Sequence, residues 1–217
     1  MEIPYLDIHT HTVPKQPAIF ALRNKIIGRE SIDEAVCSAG IHPWYLDTDL
    51  EAQLLTLEEA LTLPQVIAVG ECGLDKLCAT PWDKQLYIFE QQIQLANRVQ
   101  KPLIIHCVKA YQEVMMLLEQ HRVSVPVIFH GFHKKLPLAQ TLLKKGYVLS
   151  LGPSILKAGQ DSLIKTLPLT NFFLETDDKP VSIAAIYAYF CSVRNISMET
   201  LKTQLAQNLS RLFDYSI

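Results

Sequence analysis

Seven side chains able to bind a metal or move a proton occur in one recurring context, at or just after a short apolar run. His9 and His11 follow PYLDI (4–8), His42 follows AVCSAGI (35–41), and Glu71 ends VIAVGE (66–71). His106 ends PLIIH (102–106), His130 ends PVIFH (126–130), and Asp177 follows FFLET (172–176). Imidazole nitrogen and carboxylate oxygen without thiolate suit a divalent zinc, manganese, iron or magnesium ion. Strand side chains alternate, so His9 and His11 can share a face while Thr10 points away. Buried imidazoles and carboxylates need partners, and a metal cluster supplies one for all of them. His42 precedes Pro43, which leaves it either a ligand or the marker of a turn. His121, between Gln120 and Arg122, reads as a surface residue, and His133, in a basic loop, as surface or substrate-side.

The elements that must position these groups follow from the runs themselves. Those named above, with AIFAL (18–22) and YVLSL (147–151), make eight. They are too short for helices and lack a polar alternate face, which fits strands buried on both sides of a parallel sheet. Helical patterns lie between most of them. Leu50, Leu54, Leu57 and Leu61 recur behind Asp49, an expected N-cap, and Thr80-Pro81 followed by Trp82, Leu86, Phe89, Ile93 and Ala96 gives a capped helix with one apolar stripe. Residues 110–121, 136–145 and 198–213 read similarly. Strand–helix alternation with eight strands predicts an α/β (β/α)8 TIM-like barrel, whose strand C-termini share the active-site face. Between residues 9 and 35 two full-length helices do not fit, so the early units must be abbreviated. If Glu71 and His106 face the barrel axis, Cys72 and Cys107 face the helices.

Composition narrows the class. The chain has 217 residues, 49% apolar and 19% charged, with net charge −2. That balance excludes the Lys/Arg sheath of nonspecific nucleic-acid binders. No apolar run approaches the roughly 18 residues of a membrane span, and the opening residues lack a basic, cleavable signal pattern. Five cysteines form an odd set without a CxxC pair, which points to a reducing cytoplasm. Without repeats or linkers, residues 1–217 read as a single domain, and a monomer without an obligate protein partner is the expectation.

The ordered motifs resemble the TatD-type metal-dependent deoxyribonuclease family of the amidohydrolase-like barrels. Asp7-Ile-His9-Thr-His11 is similar to its D-x-H-x-H, Gly40-Ile-His42-Pro43 to its G-x-H-P, and Ala68-Val-Gly-Glu71-Cys-Gly-Leu-Asp75 to its G-E-x-G-L-D segment. Gln85, Phe89, Gln92 and Ala96 match its helix, and Lys101-Pro102 through His106 the segment that follows. His130 stands in the place of its H-x-F segment, while Glu175-Thr176-Asp177 and Asn208 through Phe213 resemble its E-T-D and closing N-x-x-R-L-F. The resemblance implies a hydrolase with two divalent ions (zinc, magnesium, manganese or iron). It implies that His9, His11 and Asp177 hold one ion, His106 and His130 the other, and that Glu71 bridges them. Asp177 and Glu71 are then the catalytic carboxylates, with Asp177 as general base for a water attacking a phosphodiester. Asp7 and Asp75 become acceptors that fix histidine tautomers, with His42 beside them.

The chain also departs from the family pattern. Where the family usually has an Arg two residues after its counterpart of His106, this sequence has Val108, and Lys109 is an imperfect point-charge substitute. Gly131-Phe132-His133-Lys134 replaces the usual C-F-S-G, and the loop after Asp177 is cut to Asp178-Lys179-Pro180 before a helix. Lys109, Lys134, Lys135, Lys157 and Lys179 fall on the site side of their units and can form a positive rim. The family's expected substrate is a DNA 3' or 5' end. The altered rim leaves a small phosphorylated or amide metabolite as an alternative, and a metal-binding paralogue without turnover as another. A carboxylated-lysine bridge would need Lys in place of Glu71, and a trinuclear site would need a histidine beyond residue 133, which the chain lacks. Barrels of this kind run to about 250 residues. The shortfall is expected in the early units and after Asp177, away from the ligand-bearing strands.

Overall fold

The computed structural model describes residues 3–13 and 18–217. Its eight strands follow one another in a single sheet in chain order, and the first and second, the third to fifth and the sixth to eighth pair in parallel register. They are β1 (Tyr5–Thr10), β2 (Ile19–Ile26), β3 (Cys37–Gly40), β4 (Val66–Asp75), β5 (Leu103–Val108), β6 (Val127–Phe129), β7 (Val148–Leu151) and β8 (Phe172–Leu174). Each coincides with one of the eight apolar runs. Seven α-helices follow β3 onward: α1 (Leu50–Leu61), α2 (Trp82–Val99), α3 (Tyr111–Gln120), α4 (Leu136–Lys144), α5 (Asp161–Thr166), α6 (Ile183–Arg194) and α7 (Met198–Phe213). This is the α/β barrel class that strand–helix alternation predicts. Among the described residues no helix joins β1 to β2 or β2 to β3, so the early units are abbreviated as expected. Among the described residues no helix is long and apolar enough to cross a membrane.

The chain divides into two compact units: Asn24–Val127, the central unit, and the flanking residues to Arg23 and from Ile128, the terminal unit. In the central unit every residue of β4 is buried, the signature of a strand covered on both faces. Its core joins Val66, Val69 and Leu74 of β4 to Phe89 and Ile93 of α2 and Ile104 of β5, each burial contributing about 1.5–3 kcal/mol. Two glycines let the strand ends close up. A Cβ on Gly40 would lie 2.7 Å from the Gly70–Glu71 backbone, and one on Gly73, at φ +136°, would lie 2.1 Å from the His106 carbonyl oxygen. Two buried glutamines of α2 then clamp the loops beyond. Gln92 accepts from the Ile41 amide (2.8 Å) and donates to its carbonyl (3.0 Å). Gln85 accepts from the Asp75 amide (2.9 Å) and donates to the Asp75 and Thr80 carbonyls (3.1 and 2.9 Å).

Helix α1 begins as expected, with Asp49 accepting from the Ala52 amide at 3.0 Å. Helix α2 does not: Pro81 occupies its N-cap position and makes no side-chain cap. Thr80 instead gives its carbonyl to Gln85, so a buried amide inside the helix secures the turn that a capping hydroxyl was expected to hold. Cys72 is buried as its strand parity requires, while Cys107 is half-buried near the end of β5.

In the terminal unit, α6 and α7 lock the outer strands. The Tyr187 hydroxyl accepts from the Leu6 amide and donates to the Leu6 carbonyl, both at 3.0 Å. Asn208 of α7 donates to the carbonyls of Leu169 (2.8 Å) and Phe172 (3.0 Å) at the entry to β8, and Arg211 donates to Thr170 at 2.5 Å. The closing Asn-x-x-Arg motif is therefore a strand clamp. At their other ends β1 and β8 meet: Thr10 forms a parallel bridge with Asp177. The Asp177 amide donates to His9 O at 3.0 Å, and the His11 amide to Asp177 O at 3.3 Å.

Candidate metal centre

The terminal unit gathers His9, His11, His130 and Asp177. His9 and His11 alternate with buried Thr10 along β1 and its exit, and both imidazole Nε2 atoms lie 3.6 Å from Asp177 Oδ1. The His9 and His130 rings are 4.3 Å apart between centroids. His9, His130 and Asp177 each present a ligand atom within 4.8 Å of the others. Asp177 sits at φ +57°, a left-handed conformation that Asp tolerates better than most residues. The backbone bonds to His9 and His11 fix that turn, and the side chain stays 30% exposed.

Two further acids hold this cluster from behind. Glu175 is fully buried, accepts from the Gly131 amide at 2.6 Å, and lies 3.5 Å from His130 Nδ1. Burial pushes its carboxyl up, but His130, His9 and Ser150 outweigh burial and hold it below the ordinary carboxylate range. Asp7 accepts from the Thr176 amide (2.9 Å) and hydroxyl (2.6 Å), tying β1 to the residue before Asp177. Burial pushes the Asp7 carboxyl up to about 7 against those bonds.

The central unit gathers His42, Glu71, His106 and Asp75. Glu71 Oε1 lies 2.8 Å from His106 Nδ1 and 3.2 Å from His42 Nε2. His42, Glu71 and His106 present ligand atoms within 4.8 Å of one another. Asp75 Oδ2 faces the other His106 nitrogen at 3.2 Å. An imidazole between two carboxylates has one nitrogen oriented by an acceptor and the other available to a cation, the arrangement usual behind metal-bound histidine. His42 Nδ1 accepts from the Trp44 amide at 3.1 Å, which assigns the proton of neutral His42 to Nε2, toward Glu71. The Glu71 amide donates to Asn24 Oδ1 at 2.5 Å, and Ser38 donates to the same oxygen at 3.2 Å. At Asp75, burial raises the carboxyl, yet bonds from Trp44, Leu77 and His106 bring it below its ordinary value.

The other residues singled out by sequence are not among these donor groups. His133 is exposed; its Nδ1 donates to Gly131 O (2.8 Å) and its Nε2 accepts from Lys134 (2.7 Å). Lys109 is exposed just past β5 at φ +54°. His121 caps the C-terminal end of α3 and is half-buried. In the terminal unit a cavity of about 500 Å³ opens onto Glu175 and Asp177, walled by Pro153, Leu156 and Pro180 and bordered by His133, Lys157 and Lys179. Four contributors carried no role at the sequence level: Glu175, Asn24, Trp44 and Ser150. Glu175 shares parity with Asp177 past β8, which is a usable signal. A lone asparagine in a strand, or an aromatic after Gly-x-His-Pro, signals nothing by spacing.

Nitrogen and oxygen donors in two groups, each backed by buried carboxylates and lacking thiolate, fit hard or borderline divalent ions. Comparisons with known proteins agree with that chemistry. The Escherichia coli (strain K12) protein named "Uncharacterized metal-dependent hydrolase YjjV" is 28% identical over 204 residues, 85% of this chain and 79% of that protein. The human protein named "Deoxyribonuclease TATDN3" is 30% identical over 199 residues, 80% of this chain and 72% of its own length. Among solved structures, E. coli YjjV, a TatD homolog, superposes with a TM-score of 0.85 at 24% identity, covering 99% of this chain and 100% of that one. A TatD-family hydrolase from Entamoeba histolytica superposes with a TM-score of 0.80 at 15% identity, over 98% and 99% of the two chains. These two likenesses establish the barrel fold. A family model described as "TatD related DNase" matches residues 11–214, and the chain belongs to that family.

Proposed function

We propose that this protein is a metal-dependent phosphodiester hydrolase that removes nucleotides from DNA ends. Residues 1–217 then act as one catalytic domain, a monomer in the cytoplasm. The observation that carries the reading is Asp177: its backbone is pinned between His9 and His11, and its partly exposed carboxylate faces both imidazoles and a cavity of substrate size. His9, His11, Glu71, His106, His130 and Asp177 would hold two divalent ions. When bound, the ions neutralise charge on the phosphate and make an attacking water more acidic.

The chain's own groups do the rest. Asp177 orients the water and takes its proton at a carboxylate oxygen. Glu175 and Asp75 fix the His130 and His106 rings, and His42 directs its Nε2 proton at Glu71. Asp7 holds Thr176, and with it the turn that aims Asp177. Lys157 and Lys179 at the cavity border supply positive charge for a phosphodiester. Names carried by relatives, a human deoxyribonuclease and an Erwinia tasmaniensis "3'-5' ssDNA/RNA exonuclease TatD", support nucleic acid as the substrate.

A second reading, hydrolysis of a small phosphorylated metabolite, is favoured by Val108 and by the short Asp178–Pro180 segment beside that cavity. One assay separates the two. Single-stranded DNA, bis-p-nitrophenyl phosphate and a panel of metabolite phosphates are offered with magnesium, manganese or zinc, alongside Asp177→Asn. DNA cleavage lost in the variant supports the nuclease. Turnover confined to metabolites supports the second reading, and metal binding with no turnover on any substrate overturns both.

A further inference from the structure

Trp44 and Leu77 are large apolar side chains that the central unit leaves in solvent, 52% and 64% exposed. One carboxylate anchors both. The Trp44 indole donates to Asp75 Oδ2 at 2.7 Å, and the Leu77 amide donates to Asp75 Oδ1 at 2.7 Å. Asp75 Oδ2 also faces His106 Nε2 at 3.2 Å. The indole stands nearly perpendicular to the His42 ring (5.0 Å between centroids, 83°) and the His106 ring (5.8 Å, 78°). Behind them the loop is tight: Cys78 Sγ contacts Pro43 O at 3.9 Å, and Gln85 holds Asp75 from the core side.

A tryptophan in such a setting is neither core nor a loose surface side chain. Its one polar atom is satisfied by a buried acid and its rotamer is fixed by that bond, yet half of its surface is offered to water. The indole face left open beside candidate metal ligands is rigid, large and apolar, which suits contact with another flat ring. In a phosphodiester substrate the flat aromatic part is the base. Bases inside a duplex are already stacked on both faces, whereas an unpaired base has a free one.

Resting on the phosphodiesterase reading above, we propose that Trp44, flanked by Leu77, is the stacking platform for an unpaired nucleobase of the substrate, beside the His42 and His106 rings. The substrate is then a single-stranded nucleic-acid end, and a small phosphate ester without an aromatic ring lacks this contact.

The chain has two tryptophans, so Trp82→Phe leaves Trp44 as the sole indole reporter. EDTA-treated protein is titrated with a short thymidine oligonucleotide and with an abasic strand of the same length, following fluorescence. The base-bearing strand should quench Trp44 and the abasic strand should not. In the natural background, followed by fluorescence anisotropy of a labelled strand, Trp44→Ala should weaken binding of the base-bearing strand about ten- to hundredfold, with the abasic strand unaffected. Trp44→Phe, which stacks but cannot donate to Asp75, should recover most of that affinity. In the metal-loaded protein the same order should appear in KM. Three outcomes overturn the platform: equal quenching by both strands, Trp44→Ala affecting both alike, or Trp44→Phe binding as weakly as Trp44→Ala. Base-dependent quenching without cleavage under any metal would keep the platform and overturn the hydrolase reading. Cleavage with KM indifferent to Trp44 would do the reverse.

Discussion

The two donor clusters are held in place by different means. In the terminal unit the main chain does most of the work: Asp177 is fixed through its own amide and carbonyl, and Glu175 is fixed by the Gly131 amide. In the central unit the positioning runs through side chains, with Asp75, Trp44, His42, Asn24, Gln85 and Gln92 each holding a neighbour. A main-chain mount leaves the carboxylate replaceable without moving the mount. A side-chain mount passes a change at one residue on to the next. Chemistry and architecture should therefore separate under mutation in the first cluster and be lost together in the second.

The largest expected effect tests that separation directly. Asp177→Asn keeps the backbone bonds and removes the proposed base, so hydrolysis should fall about 10²–10⁴-fold while the thermal midpoint stays within a few degrees. Steady-state kinetics beside a melting curve checks it, and a variant that unfolds would break the contrast. Asp75→Asn comes next. It should weaken metal binding about 10–100-fold by competition titration. It should also shift Trp44 fluorescence in the absence of metal, because indole and imidazole share that acid.

A smaller effect, on stability alone, comes from a glycine pair. Gly73→Ala puts a methyl 2.1 Å from the His106 carbonyl at a positive φ and should cost about 1–3 kcal/mol in urea unfolding. Gly152→Ala, in the other unit, meets only Glu175, its side-chain atoms at 3.5 Å and its carbonyl oxygen at 3.9 Å, and should change stability by less than about 0.5 kcal/mol. Equal losses would deny that the backbone approaches more closely at Gly73 than the side chain does at Gly152. The smallest effect lies outside both clusters, at the Lys76–Glu113 ion pair. The Lys76 ammonium lowers the Glu113 carboxyl. The pair's contribution is therefore present above the ordinary carboxylate range and is lost as the pH falls through the depressed value. Lys76→Met should flatten that slope by no more than about 1 kcal/mol between pH 7 and pH 3.

How much of this was legible in the sequence depends on how local the signal is. All eight strands announce themselves as two-sided apolar runs, and α7 starts and stops where its periodicity dictates, with Ser197 accepting from the Thr200 amide at its start. The missing early helices follow from the few residues between His9 and Ala35. Less local features were hidden. Helix α5 spans six residues, too few for a period to show. The entry to α2 depends on Gln85 reaching back to Thr80 and Asp75, which no capping rule anticipates. Among the site residues, the histidines and Asp177 stand out because ionisable groups at strand ends are conspicuous. Asn24 and Trp44 act through partners 47 and 31 positions away, so nothing nearby in the chain marks them.

The Asn208 clamp has a consequence for the order of synthesis. Its amide reaches the Phe172 carbonyl across 36 positions, at the entry to the strand that leads to Asp177. A nascent chain that already carries every proposed ligand still lacks the donor for the Leu169 and Phe172 carbonyls. The entry to β8 is therefore fully bonded only once the closing helix has been made, so residues synthesised late complete a strand that begins 36 positions earlier.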